Sequence, residues 1–279
     1  MIGRPSGETW QTAPRPTAAW REAAGRGEAA AEELARVMDH TLLKAQATPA
    51  DIEALCDEAV RYGFGAVCVN SVHVPMAAAR LGRGAAPPGP ARASGPPAVR
   101  VCAVVGFPLG AMATEAKAFE AGWAVERGAD EIDMVVPVGY LKAGDGAFVE
   151  ADIRAVVIAA RRAGERRGMT HPPLVKVIVE TCYLTDDEKV EACRRAAAAG
   201  ADFVKTSTGF GPGGATPSDV ALLRRTVGEG LGVKASGGIR DLAAALAMIA
   251  AGADRLGLSA GVGVIEAARA RRDGPAVPG

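Results

Sequence analysis

The segment VRVCAVVGF, residues 99–107, is a short and nearly unbroken run of apolar side chains. A strand with one face in water alternates apolar and polar residues, whereas a parallel strand buried on both faces is apolar almost throughout. Six further runs have the same character: GAVCVN (65–70), DEIDMVV (130–136), PLVKVIVE (173–180), DFVKTS (202–207), GVKAS (232–236) and DRLGLS (254–259). The sequence therefore predicts a parallel sheet that is covered on both faces.

Helix start signals lie between these runs. Thr48-Pro49-Ala50-Asp51 and the comparable segments at 185–188 and 216–219 each place a threonine three residues before a carboxylate, which is typical of a helix N-cap. Gly-Ala-Asp recurs at 128–130, 200–202 and 252–254, each time after an Ala-rich stretch and before an apolar run. Glycine at those points suits the end of a helix. Strands and helices are therefore expected to alternate.

Seven strand-like runs, with a weaker eighth expected near Val37–Leu42, predict a single (β/α)8 TIM barrel. A doubly wound open sheet is the alternative, but no G-x-G-x-x-G motif follows the first strand. We expect the barrel domain at 35–268, with a Pro/Gly-rich surface insertion at 82–98. Residues 1–34 are predicted to be a flexible, disordered extension, and 269–279 a flexible tail, from their Gly, Pro and Arg content.

Composition narrows the classes of function. The 279 residues carry 32 basic and 32 acidic side chains and only 4% aromatics. Neither a broad basic surface nor a set of stacking rings for nucleic acid is indicated, and no apolar run is long enough to span a membrane. The five scattered cysteines contain no CxxC pair and no apolar leader opens the chain, so we expect reduced thiols and a cytoplasmic location. The three histidines are dispersed as well, which argues against a histidine-rich metal site and leaves carboxylate ligands open.

Charged side chains interrupt four of the apolar runs, at Asp133, Lys176, Lys205 and Lys234. A buried ammonium is costly unless it is paired or used, so a structural ion pair or a phosphate contact is one interpretation. The other is an activated amine. Two ammonium groups on neighbouring strands repel each other, which lowers the pKa of one and leaves more of it neutral for attack on a carbonyl.

Glycine-rich segments follow three of the later strands, at STGFGPGG (207–214), SGGIR (236–240) and LSAGVG (258–263). Backbone N–H groups at such strand ends, together with a helix N-terminus, form anion sites. In β/α barrels a phosphate often binds after the last two strands. We therefore favour a phosphate site over plain tight turns.

The chain resembles the deoxyribose-phosphate aldolase family from about residue 37 to 266. The resemblance rests on eight segments in order: MDHTLLK (38–44), AVCVN (66–70), VVGFPLG (104–110), GADEIDMV (128–135), KVIVET (176–181), GADFVKTSTGFG (200–211), GGAT (213–216) and VKASGGIR (233–240). It implies a β/α barrel that acts as a metal-independent class I aldolase.

Carried over position by position, the resemblance implies that Lys205 forms the Schiff base. Lys234 perturbs that amine and takes part in proton transfer, and Asp133 accepts and donates the proton. The remaining residues implied to bind substrate are Asp39, Lys176, Thr206, Gly209, Gly237, Gly238 and Ser259. No cofactor and no metal are implied.

The function expected from this resemblance is the reversible cleavage of 2-deoxy-D-ribose 5-phosphate to acetaldehyde and D-glyceraldehyde 3-phosphate. The partners are then small phosphosugars and aldehydes, not nucleic acid or membrane, and a homo-oligomer, most simply a dimer, is expected. Another lysine-dependent phosphosugar aldolase, a transaldolase-like enzyme and a non-catalytic phosphometabolite-binding barrel stay open as alternatives. His40 and Cys68 are interpreted as a structural histidine and a buried packing thiol rather than reacting groups.

Overall fold

The computed structural model describes residues 16–82 and 99–272. In this part of the chain eight parallel strands form a closed barrel, in which each strand pairs with the next and β8 pairs with β1. They are β1 (Met38–Leu42), β2 (Ala66–Asn70), β3 (Arg100–Val105), β4 (Glu131–Val135), β5 (Leu174–Ile178), β6 (Phe203–Lys205), β7 (Gly232–Ser236) and β8 (Arg255–Leu258). The predicted TIM barrel is confirmed, and the open sheet is excluded because the barrel closes.

Helices follow the strands on the outside of the barrel. They are α1 (Ala18–Gly25), α2 (Ala31–Arg36), α3 (Pro49–Tyr62), α4 (Val74–Arg80), α5 (Thr114–Glu126), α6 (Val138–Lys142), α7 (Gly146–Arg166), α8 (Asp186–Ala199), α9 (Pro217–Val227), α10 (Leu242–Ala250) and α11 (Gly261–Arg272). Short 3-10 turns lie at Ser71–His73 and Thr181–Tyr183. The hydroxyls of Thr48, Thr185 and Thr216 accept backbone N–H groups at the starts of α3, α8 and α9, as the sequence predicts.

Closure of the barrel separates the two faces of every strand. In β5, Val175 and Val177 belong to the apolar layer under the helices, whereas Lys176 is buried at the centre of the barrel beside charged side chains from other strands. Side chains alternate along a strand, so one outward-facing set builds the core and one inward-facing set builds the interior. The apolar layer supports the barrel, and the interior is free to carry charge.

The aspartates of the Gly-Ala-Asp repeat hold neighbouring strands together at the amino-terminal end of the barrel. The carboxylates of Asp130, Asp202 and Asp254 accept the backbone N–H of Val101, Val175 and Val233, respectively, at 2.8–3.1 Å. Each aspartate thereby ties the start of its own strand to the preceding strand. The glycine before it has a positive φ, from 86° to 121°, where the chain leaves the helix.

The described part of the predicted N-terminal extension is folded onto the barrel. Helix α1 packs on α10, and Arg21 donates to the Ala253 carbonyl at 2.9 Å and pairs with Asp254. Ala24 and Leu34 are buried. The segment is too short and too rich in alanine for its periodicity to stand out, and it is held by a contact more than 200 positions away in the chain.

The other predicted boundaries are only partly described. Helix α11 continues to Arg272 and so includes the first four residues of the predicted tail. Residues 1–15, residues 83–98 of the insertion and residues 273–279 lie outside the described part. Within the described residues, no helix combines the length and the apolar character that a membrane span requires.

Candidate functional site

Three of the charged residues singled out from the sequence meet at the centre of the barrel. Lys205 on β6 and Lys234 on β7 are register partners, and Asp133 projects from β4 toward both. The two lysine nitrogens lie 2.7 and 2.6 Å from the same oxygen, Asp133 Oδ2. All three side chains are buried. The two amines therefore share one compartment and one carboxylate oxygen.

The second oxygen of Asp133 is also fully engaged. Lys176 donates to Oδ1 at 2.7 Å, and the Cys102 thiol donates to it at 3.1 Å. Burial by itself raises the pKa of Asp133, but the charges of Lys176, Lys205 and Lys234 outweigh burial and hold that pKa well below its ordinary value. In the resting site Asp133 is therefore an anion shared by three lysines.

Lys234 is held as a cation by two carboxylates. Besides Asp133 it contacts Asp39 Oδ2 on β1. Burial lowers the pKa of Lys234, but Asp133 and Asp39 together raise it well above the ordinary lysine value. The sequence argument considered repulsion between two amines alone. The structure places a carboxylate in contact with both, so the ion pair with Asp133 opposes that repulsion.

Two residues that the sequence analysis missed complete the cluster from below. Arg255 on β8 pairs with Asp39 and lies 3.4 Å from Glu131 on β4, and Glu131 lies 2.6 Å from Lys176. Burial raises the pKa of Glu131, but Arg255 and Lys176 outweigh it, so the pKa lies below the ordinary value. Glu131 was detectable, because it precedes Asp133 by two residues on one strand and so shares its face.

The charges of this cluster do not balance. Among the described residues, the buried acids and bases that form this cluster are three carboxylates and four cations: Asp39, Glu131, Asp133, Lys176, Lys205, Lys234 and Arg255. The partly exposed Arg100 pairs with Glu131 from outside this set. An unbalanced charge is unfavourable inside a protein, where water does not screen it. Release of one proton leaves the cluster neutral.

An apolar wall adjoins the cluster on the side of the first three strands. It consists of Leu43, Cys68, Cys102 and Val104, with Phe107 packed against them. Cys68 and Cys102 are register partners on β2 and β3, and both thiols are free and buried. Hydrogen bonding with Cys102 is the main cause that lowers the pKa of Cys68. Cys68 thus lies beside the charged cluster, as part of this wall.

A metal ion fits this site poorly. Cys68, Cys102 and Asp133 place possible ligand atoms within 4.8 Å of one another. The same Asp133 carboxylate contacts Lys176, Lys205 and Lys234, and their positive charges oppose a cation there. The chemistry of the donor set therefore favours the lysines over a metal.

His40 lies on the other side of β1 from the cluster. Its Nε2 is 2.6 Å from Glu58 on α3, and its ring packs against Phe64 at a centroid distance of 4.8 Å. Asp39 points inward, so the next residue along the strand points toward the helices. The structure places His40 as a structural histidine.

Hydroxyl groups continue the barrel beyond the end of β6. The Thr206 hydroxyl donates to the Ser236 carbonyl and accepts from the Ser236 N–H, both at 3.1 Å, and Ser236 Oγ donates to the Ser207 carbonyl. Thr206 is completely buried. Its side chain therefore joins β6 to β7, and a contact of Thr206 with substrate stays a prediction.

The glycines predicted to bind an anion meet at the mouth of the barrel. Gly237 has a φ of 85°, and a Cβ built on it would lie 3.2 Å from the Cα of Gly209. A larger residue at 237 would be strained and would crowd the neighbouring loop. Gly209, Gly238 and Ser259 are exposed, and Ser259 lies just before the start of α11. We call Gly209, Gly237 and Gly238 the glycine cradle; backbone N–H groups at such strand ends are suited to an anion.

Comparison with known proteins agrees with this geometry. A model of the DeoC/LacD family aldolases matches residues 34–266. The deoxyribose-phosphate aldolase of Carboxydothermus hydrogenoformans is 54% identical over 234 residues, which cover 84% of this chain and 94% of that protein. The enzyme of the same name from Thermococcus gammatolerans is 53% identical over 237 residues, 85% of this chain and 97% of its own.

A solved structure shows the same architecture. The deoxyribose phosphate aldolase of Aeropyrum pernix, described as a tetramer, superposes with a TM-score of 0.74 at 32% identity. The match covers 92% of this chain and 99% of that one. Sequence and fold therefore agree over nearly the whole barrel.

Proposed function

Since this chain belongs to the DeoC/LacD family of aldolases, we propose that it reversibly cleaves 2-deoxy-D-ribose 5-phosphate to acetaldehyde and D-glyceraldehyde 3-phosphate. The observation that carries the proposal is the contact of Lys205 and Lys234 with one oxygen of Asp133. A class I aldolase needs one amine to attack a carbonyl and adjacent groups to move protons. This cluster supplies both in a buried site.

Lys205 is proposed as the nucleophile. Its neutral amine adds to the C1 aldehyde of the open-chain sugar, and loss of water gives an iminium ion. The C3 hydroxyl loses its proton, the C2–C3 bond breaks, and its electron pair moves to the iminium to form an enamine. Glyceraldehyde 3-phosphate leaves, a proton adds to C2 of the enamine, and water hydrolyses the resulting iminium. Acetaldehyde is released, and the free amine of Lys205 is restored.

Asp133 and Lys234 are proposed to move the protons. In the resting site Asp133 is stabilised as an anion by three lysines, which makes it a weak base. When the C2–C3 bond breaks, the iminium on Lys205 becomes a neutral enamine, so one of those three cations is lost and the carboxylate becomes more basic. Asp133 can then accept a proton through a water, and Lys234, held beside it by Asp39, can pass the proton on.

The surrounding cations are proposed to position rather than react. Lys176 fixes the second oxygen of Asp133, and Arg255 holds Asp39 against Lys234. A catalytic group held from several sides stays in the geometry that the reaction requires. These contacts explain why charged residues persist in a buried interior.

The glycine cradle is proposed to bind the substrate phosphate. Amides of Gly209, Gly237 and Gly238 and the hydroxyl of Ser259 would surround it at the mouth. This contact lies away from the reacting carbons, so its binding energy can orient C1 against Lys205.

Several broader expectations accompany this proposal. The reaction uses the iminium as its electron sink, so no cofactor enters the scheme. We keep the cytoplasmic location as a prediction, and a homodimer as the first expectation for assembly. The tetramer of the Aeropyrum pernix protein makes analytical ultracentrifugation the direct check on that expectation.

Borohydride trapping tests the proposed function. The protein is incubated with 2-deoxyribose 5-phosphate and EDTA, reduced, digested and mapped by mass spectrometry. We expect loss of activity and a reduced acetaldehyde adduct on Lys205. An adduct on another side chain would contradict the nucleophile, and an unmodified protein would contradict the aldolase. Cleavage of a ketose phosphate instead of the deoxy sugar would indicate a transaldolase-like enzyme.

A further inference from the structure

Glu180, two residues after the end of β5, has an unusual backbone. Its φ is 57° and its ψ is 68°, and it is the one residue other than glycine with positive φ among residues 16–82 and 99–272. Side chains of L residues rarely adopt this conformation, and such strain persists only where the surroundings hold it. Glu180 is also buried, with 3% of its surface exposed. A specific contact must therefore fix it.

That contact is with Thr208, three residues beyond Lys205. The backbone N–H of Thr208 lies 3.2 and 3.3 Å from the two carboxylate oxygens of Glu180, and the Thr208 hydroxyl donates to one of them. The same hydroxyl accepts the N–H of Phe210 at 3.0 Å. One carboxylate thus fixes the complete turn from Thr208 to Phe210.

The turn held in this way carries one side of the glycine cradle. Gly209 lies between Thr208 and Phe210, and its Cα faces Gly237. Further along the same loop, Ala215 donates to the Gly237 carbonyl at 2.9 Å. The loop is therefore clamped between Glu180 on one side and the turn after β7 on the other.

Close packing confirms that the loop rests on the segment after β5. A Cβ built on Gly211 would lie 2.9 Å from Cys182 Sγ and 3.6 Å from Glu180 Cδ, and one built on Gly213 would lie 2.9 Å from Cys182 Cβ. The loop approaches this closely only because both positions are glycine. Its position is thus set by residues 180–182.

Glu180 is unsuited to act on the substrate itself. Its carboxylate forms hydrogen bonds with Thr208 and Cys182, and among the described residues it makes no ion pair with the charged cluster. A carboxylate has no hydrogen-bond donor to offer a phosphate oxygen. The contacts of Glu180 instead determine the position of the Thr208–Phe210 turn.

We propose that Glu180 is a positioning residue that sets the Thr208–Phe210 turn, and through Gly209 the affinity of the glycine cradle for a phosphate group. The inference rests on the proposed function for the identity of the substrate. The inference can be tested separately from the proposed function, because the glycine cradle can bind phosphate whether or not the charged cluster cleaves a sugar.

Three variants of the full chain test this role. Glu180→Ala removes the carboxylate that holds Thr208 and keeps a strained backbone. Glu180→Gly also removes that carboxylate but tolerates the left-handed conformation. Glu180→Gln keeps an oxygen for the Thr208 N–H and gains an amide that can donate to the Thr208 hydroxyl. Glu120→Ala is the matched control, because Glu120 clamps a different mouth loop through Gly106 and Ser71.

Each variant is assayed with 2-deoxyribose 5-phosphate, with unphosphorylated 2-deoxyribose and with inorganic phosphate as inhibitor. For the Ala and Gly variants we expect the KM for the phosphorylated sugar and the Ki for phosphate both to rise about tenfold. The preference for the phosphorylated sugar should fall by the same factor. Glu180→Gln should recover most of it, and Glu120→Ala should leave it unchanged.

An unchanged preference and an unchanged phosphate Ki in both the Ala and Gly variants would overturn the proposal. Equal losses for the two sugars would do the same, because they indicate a general structural role. If the wild type cleaves neither sugar, the proposed function fails, and the thermal shift produced by inorganic phosphate becomes the readout. A shift in the wild type that is lost in Glu180→Gly then supports the clamp, and equal shifts contradict it.

Discussion

The amino-terminal end of the barrel and its charged interior use carboxylates in opposite ways. At the amino-terminal end Asp130, Asp202 and Asp254 each accept a backbone N–H of the preceding strand, the same contact three times. In the interior Asp133 is shared by three lysines and a thiol. A backbone N–H cannot give up its proton, whereas an ammonium can. The first arrangement fixes strands, and the second leaves protons free to move.

The largest expected loss of activity follows from removing the proposed nucleophile, Lys205, from the interior. Lys205→Leu should reduce kcat by at least about 10⁴-fold, since no other amine of the cluster is placed to form the iminium. The fold should survive, because Asp133 keeps Lys176 and Lys234 and the buried charges then balance. Cleavage assays with thermal denaturation check both parts. Residual activity within tenfold of the wild type would contradict the assignment.

Lys234→Leu should have the next largest effect. Without this ammonium, Asp133 binds Lys205 alone through Oδ2, and the proton path through Lys234 is lost. We expect kcat at pH 7 to fall about 100-fold and the acidic limb of the pH–rate profile to move to higher pH. Lys142→Leu, at a half-exposed lysine on α6, is the control. An unmoved profile would remove Lys234 from the proton path.

At the amino-terminal end the effect should fall on stability instead. Asp254→Ala removes the acceptor for the Val233 N–H and the partner of Arg21 and Arg224. The free energy of unfolding should decrease by about 2–4 kcal/mol, with kcat nearly unchanged. Asp241→Ala, which removes only the N-cap of α10, should cost about 1 kcal/mol. Urea titrations measure both unfolding free energies. A large loss of kcat in Asp254→Ala would contradict the difference between the amino-terminal end and the interior.

The smallest effect concerns the dependence of stability on pH. The pKa values of Asp39, Glu131 and Asp133 are lowered in the folded protein. Their contribution is therefore complete above the unfolded pKa of about 4 and is lost as pH falls toward the folded values. Glu131→Gln removes one of these groups, so the slope of unfolding free energy against pH below 4 should decrease by up to about 1.4 kcal/mol per unit.

Urea titrations between pH 6 and 3 measure that slope. The Asp254→Ala variant serves as the comparison, because Asp254 holds a strand backbone rather than the interior cluster. Identical slopes in Glu131→Gln and the wild type would show that the interior carboxylates do not determine acid sensitivity.

Much of this protein could be predicted from its sequence. Continuous apolar runs and threonine caps fixed the order of strands and helices, because burial on two faces and unpaired N–H groups leave local signatures. Lysines in apolar strands indicated the site for the same reason, since a buried charge is too costly to be accidental. Asp133, Lys205 and Lys234 could therefore be named in advance.

Only the tertiary structure decided how those charges share partners. The contact of two lysines with one oxygen, the support from Arg255 and the burial of Thr206 depend on strands far apart in sequence that meet when the barrel closes. The contact between Glu180 and Thr208 has no sequence signature. Thr208 lies on the loop after the next strand, and it holds the left-handed backbone of Glu180 only once the chain has folded. Local chemistry determined which residues carry charge, and closure determined what each charge touches.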